Sequence, residues 1–459
     1  MTTTSSTHPN QTQAPRSSSS DGARPIHVGM LGLGVVGSGV ATLLSQKAVA
    51  LVREIGREVK LHRVLVRDLV RSRSVTLAQQ CLTLDPAAVL DDPGVDIVVE
   101  LMGGINPARE YVLRAISNGK HVVTANKDLM AKHGVDILQL AKERGVDVYY
   151  EASVGGGIPL IGVFRQDLAA NEVHQVHAII NGTTNYILTR MAQDGVDFAP
   201  ALAEAQSLGY AESNPTNDVE GIDASYKLAI LASLAFRTQV APEQIYCEGI
   251  TRLRAADFQY ARELGYVIKL LAIGRRHLTP QGEEIEVRVH PALISHDVLL
   301  ADVNGVFNAV HVQGDLVGNV LFYGRGAGAE PTSSAVVADV IDIAHNLNVG
   351  VANRIPFHYA GRLPVRSMNQ LITRYYIRLW VADQPGVLAR IAQVFGDHQI
   401  SIASCIQKET DLSASAAELV IVTHPAREAD MGAALQKLEG LDVLRETANM
   451  IRIETVGSA

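Results

Sequence analysis

The chain has 459 residues, too many for one hydrophobic core, so two or three domains are expected. With 47% apolar residues, 19% charged residues and a net charge of −8, it has an ordinary globular composition, which disfavours nucleic acid or an anionic membrane as partner. Its three cysteines, Cys81, Cys247 and Cys405, lie far apart without CxxC spacing, which argues against a disulfide framework or thiolate zinc site and for a reducing compartment, most simply the cytoplasm.

Residues 1–24, rich in Ser, Thr and Gln, hold no apolar run that serves as a signal-peptide core and read as a disordered tail. A transit peptide is the alternative, since only Asp21 is acidic there, but two arginines make a weak case for one. Elsewhere no uncharged apolar stretch approaches the roughly 18–20 residues of a membrane span.

Order begins at "IHVGMLGLGVVGSGVATLLSQ". An apolar strand over 26–31 runs into Gly32-Leu33-Gly34-Val35-Val36-Gly37, a GxGxxG turn that opens an amphipathic helix. Glycines there let the backbone approach a pyrophosphate, which the helix N-terminus faces with unpaired N–H groups. A tight turn without a ligand is the plainer alternative. The next strand, in "KLHRVLVRD", is expected to end at Val66. Arg67 follows, where an arginine suits a ribose 2′-phosphate and an acid suits the 2′-hydroxyl. NADP is therefore favoured, with NAD left open by Asp68 and a merely solvated arginine as the bland reading.

Further strand-and-loop units, "VDIVVELMGG", "KHVVTANKD" and "VDVYYEASVGGG", alternate with helices such as "PAREYVLRAISNG". This alternation predicts an α/β, Rossmann-type doubly wound sheet, with Gly103, Asn126, Lys127 and Glu151 at the cofactor rim beyond the strand C-termini. From about Pro159 the pattern changes. "ANEVHQVHAIINGTTNYILTRM" reads as a strand, a polar turn at Asn181–Asn185 and a helix. His174 and His177, three apart on a strand, point to opposite faces, so a zinc pair is rejected. A long helical stretch and further strands predict a mixed α+β substrate and dimerisation domain. The Gly-rich "GRGAGAEPTSS", containing Gly328, returns the chain to the cofactor. The C-terminal segment reads as strand, helix, strand, strand, helix, strand, a ferredoxin-like βαββαβ unit able to fold by itself. The expected division is 25–155 with about 322–357 for dinucleotide binding, 156–321 for the substrate, 358–373 as linker and 374–459 as the terminal unit.

In "NDVEGIDASYKLAILASLAF", Asp223 and Lys227 share a helix face at i,i+4 spacing. A surface ion pair worth about 0.3–0.5 kcal/mol is the bland reading. Against it stand the apolar flanks Leu228, Ile230, Leu231, Leu234 and Phe236, which leave little room for a polar face. Upstream, the loop concentrates Glu212, Asn217, Asp218 and Glu220, whose three carboxylates are able to hold a substrate ammonium group. A half-buried lysine beside a nicotinamide is a candidate general acid for a carbonyl being reduced, or base for an alcohol being oxidised.

The runs "GLGVVG", "TANK", "EASVGGGIP", "NGTTNYIL", "GYAESNPTNDVEGIDASYKLAIL" and "GAGAEPT" together resemble homoserine dehydrogenase over about residues 26–360. The C-terminal "DQPGVLARIAQVF...ISIASCIQK" resembles an ACT domain, as in the long monofunctional form of that enzyme. The resemblance implies NAD(P)-linked interconversion of L-aspartate 4-semialdehyde and L-homoserine, toward threonine, isoleucine and methionine. It implies Lys227 as proton donor in the reducing direction, Asp218 and Asp223 as its or the substrate's supports, and Glu212 and Lys127 as substrate contacts. Gly209 and Gly328 would lie near the cofactor with Gly32, Gly34, Val35, Val36, Gly37 and Gly103. Glu151, Val154, Gly156 and Ile158 match positions that ligate sodium, mostly through carbonyls, with a glycine hinge as the alternative. Asn217 stands where some relatives carry a second acid and receives no role. In the tail, Asp383, Gly386, Val387 and Leu388 would meet an amino-acid effector, threonine foremost, and the ACT units would pair in a homodimer or homotetramer. Hydride transfer requires no covalent intermediate, which separates this reading from aspartate-semialdehyde dehydrogenase and its cysteine. The competing readings are another amino-acid-pathway oxidoreductase of the same fold and a non-catalytic regulator binding dinucleotide and amino acid.

Overall fold

A computed structural model describes residues 24–354, 359, 361–411 and 416–457. The expected polar tail lies, up to residue 23, outside the described residues, as do 358 and 360 of the expected linker.

The first layer is a parallel sheet of β1 (Ile26–Leu31), β2 (Val59–Leu65), β3 (Leu82–Thr83), β4 (Ile97–Glu100), β5 (His121–Thr124) and β6 (Val148–Tyr149). Strands β4 and β5 are buried at every residue, the pattern of parallel strands covered on both faces. The helices covering them are α1 (Val35–Gln46), α2 (Ala48–Ile55), α3 (Ala87–Leu90), α4 (Ala108–Ser117) and α5 (Lys127–Arg144). Strand order is β3-β2-β1-β4-β5-β6, that of a doubly wound dinucleotide sheet, with its switch point between β1 and β4. Strand β2 ends at Leu65, one residue before the expected Val66, where its pairing with β1 ends at Leu31, although Val66 N still donates to Thr83 O at 2.9 Å.

Past α6 (Ile161–Arg165) the chain enters a second layer through β7 (Val173–Ile179), α7 (Gly182–Asp194), α8 (Phe198–Ser207), α9 (Thr216–Val219) and α10 (Ile222–Ala235). The predicted polar turn at Asn181–Asn185 is a correction: it is the N-cap and first turn of α7, since the Asn181 side chain accepts from Thr184 N and starts the helix at Gly182. Then follow β8 (Tyr246–Cys247), α11 (Ala255–Glu263), the long hairpin β9 (Tyr266–Thr279) and β10 (Gly282–Ser295), and a second hairpin, β11 (Phe307–Gly314) and β12 (Gly318–Arg325). The 21-residue α12 (Ala329–Val349) returns to the first layer and packs on α1, with Ser333 Oγ donating to Val36 O at 3.1 Å.

Helix α10 is buried over nearly its whole circumference from Leu228 to Ala235, the mark of a helix enclosed between layers. It packs on β9 of the second sheet and on α5 of the first layer, which holds Lys227 where the two layers meet.

The C-terminal unit has the predicted order: β13 (Ile372–Ala382), α13 (Val387–Asp397), β14 (Ile402–Asp411), β15 (Ala416–Thr423), the short β16 (Ala426–Arg427), α14 (Glu428–Glu439) and β17 (Leu444–Ile453). Its sheet is not free-standing. Strand β17 pairs in parallel with β10, so the second layer and the terminal unit form one eleven-stranded sheet. The joining ladder is short, Ala292↔Arg452 and Leu293↔Ile453, and buried ion pairs flank it. Glu454 meets Arg288 at 2.8 Å and His177 at 3.2 Å and also contacts Arg275, while Arg378 meets Asp257 of α11 at 2.7 Å. Among the described residues no single helix is long and apolar enough to cross a membrane.

Candidate active site

The glycine turn after β1 is a close approach between backbones that leads straight into the uncapped N-terminus of α1. Gly32 has φ +101°, and a Cβ there would stand 2.9 Å from Leu101 O, so only glycine fits. Around Gly34, by contrast, an added Cβ would meet nothing within 4 Å. Gly34 caps α1 and Gly328 caps α12, neither with a side-chain bond, so both helix N-termini keep unpaired N–H groups. They lie side by side, since Gly39 of α1 abuts Ser333 and Ala329 of α12. Val35 is largely exposed and Val36 packs against the apolar cluster beneath the sheet. Gly103, φ +72°, follows β4 on the other side of the switch point. Arg67 is exposed two residues beyond β2, whose Leu65 pairs with Leu31 just before the glycine turn.

Beyond the sheet lies a cleft of about 240 Å³ lined by Gly103, Asn126, Lys127, Ala152, Ser153, Gly155, Gly156, Asp223, Lys227, Gly326, Ala327 and Thr332. It thus joins the dinucleotide-sheet loops to α10. Its glycine wall is tight: a Cβ on Gly156 would come within 2.6 Å of the Gly326 carbonyl carbon. Asn126 caps α5 by accepting from Leu129 N and ties down the Gly103-Gly104 loop by donating to Gly104 O at 2.6 Å.

At the cleft floor the Lys227 side chain is 13% exposed and that of Asp223 11%. Lys227 Nζ donates to Asp223 Oδ2 at 2.6 Å and to Ile180 O at 2.9 Å. An ammonium carries three N–H bonds, and among the described residues these two acceptors are its hydrogen-bond partners, so one N–H remains for a ligand in the cleft it lines. Lys127 Nζ approaches the other Asp223 oxygen at 3.4 Å and Asp128 at 3.6 Å. Burial pushes the Asp223 carboxyl up, but Lys227 and Lys127 more than offset this and hold it below the ordinary range. For Asp218 burial prevails, helped by the Asp223 charge and opposed by Asn181, and its carboxyl is pushed up. Burial pulls the Lys127 ammonium down, yet Asp223 and Asp128 leave it raised. The surface-pair reading of Asp223 and Lys227 is therefore set aside by their burial and partners.

Of the other sequence candidates, Asp218 joins the cluster through Asn181, whose Nδ2 donates to Asp218 Oδ1 at 2.7 Å and to Asp223 Oδ2 at 2.9 Å. Asn217 lines the adjoining opening with Asn106, Lys127 and Tyr226. Glu212 and Gly209 are exposed on the loop after α8, Glu212 offering its carbonyl to Gln206, and Glu220 is exposed too. Glu151 directs its carboxylate to the amides of Leu160, Ile161 and Gly162 at the start of α6, while its carbonyl accepts from Val154 N at 3.4 Å. Val154 and Ile158 are buried beside it. In the terminal unit Gly386, φ +91°, caps α13 without a side-chain bond; Asp383 is exposed, Val387 buried and Leu388 half-exposed. None of the cysteines lines the cleft, and burial pushes the Cys247 thiol up to about 11, which keeps it protonated at neutral pH.

Two residues missed by sequence reasoning belong to this region. Asn181 bridges the carboxylates, and Glu248 links the site to the terminal unit: Arg452 of β17 bonds Glu248 Oε2 at 2.7 Å and Glu428 of α14. From Glu248 the loop runs to Ile250, whose N–H donates at 2.8 Å to the O of Val219, the last residue of α9. Asn181 opens the "NGTTNYIL" run and its helix-capping spacing is local, but its bridge and the Glu248 contact are made across the tertiary fold and leave no local signal.

Comparison with known proteins adds the following. A family profile described as homoserine dehydrogenase matches residues 159–341, one for the homoserine dehydrogenase NAD binding domain matches 32–151, and one for the ACT domain matches 375–443. The chain is 45% identical to a homoserine dehydrogenase of Synechocystis sp., covering 93% of this chain and 99% of that one. It is 43% identical to that of Neisseria gonorrhoeae, over 94% and 99%. Among solved structures, a homoserine dehydrogenase from Thiobacillus denitrificans superposes with a TM-score of 0.88 at 46% identity, covering 95% of this chain and 99% of that one. A hyperthermophilic archaeal homoserine dehydrogenase in complex with NADPH, 26% identical, superposes with a TM-score of 0.57 over 70% of this chain and 98% of that one.

Proposed function

This chain belongs to the homoserine dehydrogenase family, and on that premise we propose how its residues divide the work of the reaction. It is an NAD(P)-dependent oxidoreductase that interconverts L-homoserine and L-aspartate 4-semialdehyde, with a C-terminal ACT domain. The bound nicotinamide supplies or accepts the hydride. Lys227 gives a proton to the carbonyl oxygen on reduction and takes one from the hydroxyl on oxidation, using the N–H that Asp223 and Ile180 leave unpaired. That unpaired N–H, held on the cleft floor beside the dinucleotide loops, is the observation that carries the assignment. Asp223 fixes the lysine, and Asp218, Lys127 and Glu212 hold the substrate's charged groups. Homoserine-dependent reduction of NADP by the purified protein tests the reading; absence of reduction with either nicotinamide cofactor defeats it.

The pyrophosphate lies over Gly32, Gly34, Val35, Val36 and Gly37, with Gly103, Gly209 and Gly328 near the remainder of the cofactor. Arg67, beyond the end of β2, meets the 2′-phosphate, which makes NADP the preferred form. Arg67→Ala is expected to raise KM for NADP about ten-fold or more, the size of a lost charge-assisted bond, with a smaller change for NAD. Steady-state titration of both cofactors checks it, and equal weakening removes the role.

A sodium ion fits the carbonyls of Glu151, Val154, Gly156 and Ile158. Of these, Val154, Gly156 and Ile158 accept no backbone amide outside regular elements among the described residues, and oxygen donors suit a hard cation. The division near residues 155 and 321, with α12 returning to the first domain and the terminal unit starting near 374, follows the change of sheet.

The ACT domain receives threonine at Asp383, Gly386, Val387 and Leu388, where the amides opening α13 suit an amino-acid carboxylate. The Arg452–Glu248 contact gives such binding a physical route toward α10. Threonine, with valine as control, is expected to lower homoserine-dependent turnover; no inhibition at millimolar threonine removes it as effector. We place the enzyme in the cytoplasm as a homodimer or a tetramer joined through its ACT domains.

A further inference from the structure

We propose that Asn181 is a positioning residue of the hydride-transfer site, its carboxamide bridging Asp218 and Asp223 so that one rigid group fixes the spacing of both carboxylates against Lys227. The proposal deepens the assignment of Lys227 and the two aspartates above and rests on it.

Orientation of the side chain follows from its own hydrogen bonds. Asn181 is buried, and its Oδ1 accepts from Thr184 N at 2.9 Å and from Thr184 Oγ1 at 3.0 Å, capping α7. With the oxygen so placed, the amide nitrogen must face the other way. Its two hydrogens then meet one carboxylate each, at 2.7 Å and 2.9 Å. The residue before it, Ile180, supplies the carbonyl that holds Lys227 Nζ at 2.9 Å. A single dipeptide at the end of β7 therefore locates the lysine through its backbone and both acids through its side chain. Neither acid is placed so firmly by its own element: Asp218 sits in the four-residue α9 and Asp223 in the first turn of α10, with Gly221 at φ +78° between them. Gly221 itself is buried and its N–H donates to Asp218 O at 3.0 Å, so the turn joins the two helices through the backbone, and the Asn181 amide ties their carboxylates together.

The bridge also tempers charge. Asp218 and Asp223 repel each other, and the charged groups facing them are Lys227 from α10 and Lys127 from α5, the latter shared with Asp128. Donation from a neutral amide favours the ionised form of both acids without adding a competing cation.

The plain alternative is that Asn181 serves only as the α7 cap. Asp and Ser cap helices about as well as Asn, so Asn181→Asp and Asn181→Ser keep that role and remove the double donation. In Asn181→Ser, kcat/KM for homoserine is expected to fall on the order of ten- to a hundred-fold, the scale of a displaced catalytic group, with KM for NADP and the melting midpoint nearly unchanged. The acid limb of the kcat/KM profile should move to higher pH, because both carboxyls lose a donor to their charged forms. Asn181→Asp, which sets a third carboxylate against the pair, should move it further. Retention of kcat/KM within two-fold with an unmoved acid limb would overturn the proposal, as would a loss that merely tracks a lower melting midpoint. Lys227→Ala, assayed in parallel, separates the two levels: if it keeps full turnover the underlying assignment has failed, whereas if it is inactive and the Asn181 variants are not, only the bridge has failed.

Discussion

Lys227→Ala is expected to lower kcat by about 10²–10⁴-fold, the usual contribution of a positioned general acid or base, while the protein still binds NADP. The cofactor loops owe nothing to this side chain: the glycine turn is shaped by Gly32 against Leu101, and the α1 and α12 N-termini are set by their mutual packing. Fluorescence titration of NADPH should therefore give a Kd close to that of the wild type. The informative companion is Lys227→Arg. Arginine keeps the positive charge and can pair with Asp223 but does not release its proton in any accessible range. If the lysine acts by proton transfer, the arginine variant is nearly as inactive as the alanine one. If turnover survives in Lys227→Arg, the group stabilises charge only, and the proton comes from elsewhere. Lys127 is the evident substitute, since it faces the same carboxylate, but its side chain is 34% exposed and it is farther from Asp223 than Lys227 is. Loss of turnover in Lys127→Ala with retention in Lys227→Ala would exchange the two roles.

What could be read from the sequence had its physical cause within a few residues of chain. The glycine turn was legible because strand, tight turn and helix are consecutive, and the Asp223–Lys227 pair because i,i+4 spacing places both side chains on one face whatever the fold. The βαββαβ order of the ACT domain was legible for the same reason. Legibility fails where partners are brought together by topology. His177 looked like one half of a rejected metal pair and instead contacts Glu454, 277 residues away, across the joined sheet. Asn181 read as a turn residue because capping is local, whereas its bridge needs α9 and α10 to fold back over the end of β7. Of the upstream acids, Asp218 is half-buried in the cluster, whereas Glu212 and Glu220 are exposed on their loops, a difference in burial that spacing alone does not announce. Nor does any periodicity announce that β17 lies beside β10, because an edge strand carries the same alternation whether or not another sheet covers it.

Glu454→Gln is expected to lower the melting midpoint on the order of 3–5 °C by weakening that junction. The ladder between β10 and β17 is only two residues long, so the junction rests on the apolar core that Tyr376, Val420, Val422, Ile451 and Ile453 share with the second layer and on the buried charges beside it. Glu454 serves Arg288 and Arg275 together, with His177 as a further partner, and Arg288 is almost fully enclosed. Replacing a buried ion pair by apolar groups of equal volume is often harmless, but removing one partner alone leaves a desolvated charge and costs about 3–5 kcal/mol. Arg288 keeps Glu286 at 2.8 Å, which moderates the loss. The same carboxylates predict acid lability. Burial pushes Glu454 and Glu286 up, but the guanidiniums and histidines around them prevail and hold Glu454 well below its ordinary 4.5 and Glu286 down at about 2. For a carboxyl depressed in the folded state, the unfolded chain binds the proton first as pH falls, so the stability is fully present above about 4.5 and lost on the way to about 2. Chemical denaturation of the wild type should thus show a steep decline through that window, and the Glu454→Gln profile should be flatter as well as lower. A variant that melts with the wild type and follows its acid profile would mean that apolar packing, rather than these charges, joins the regulatory sheet to the catalytic one.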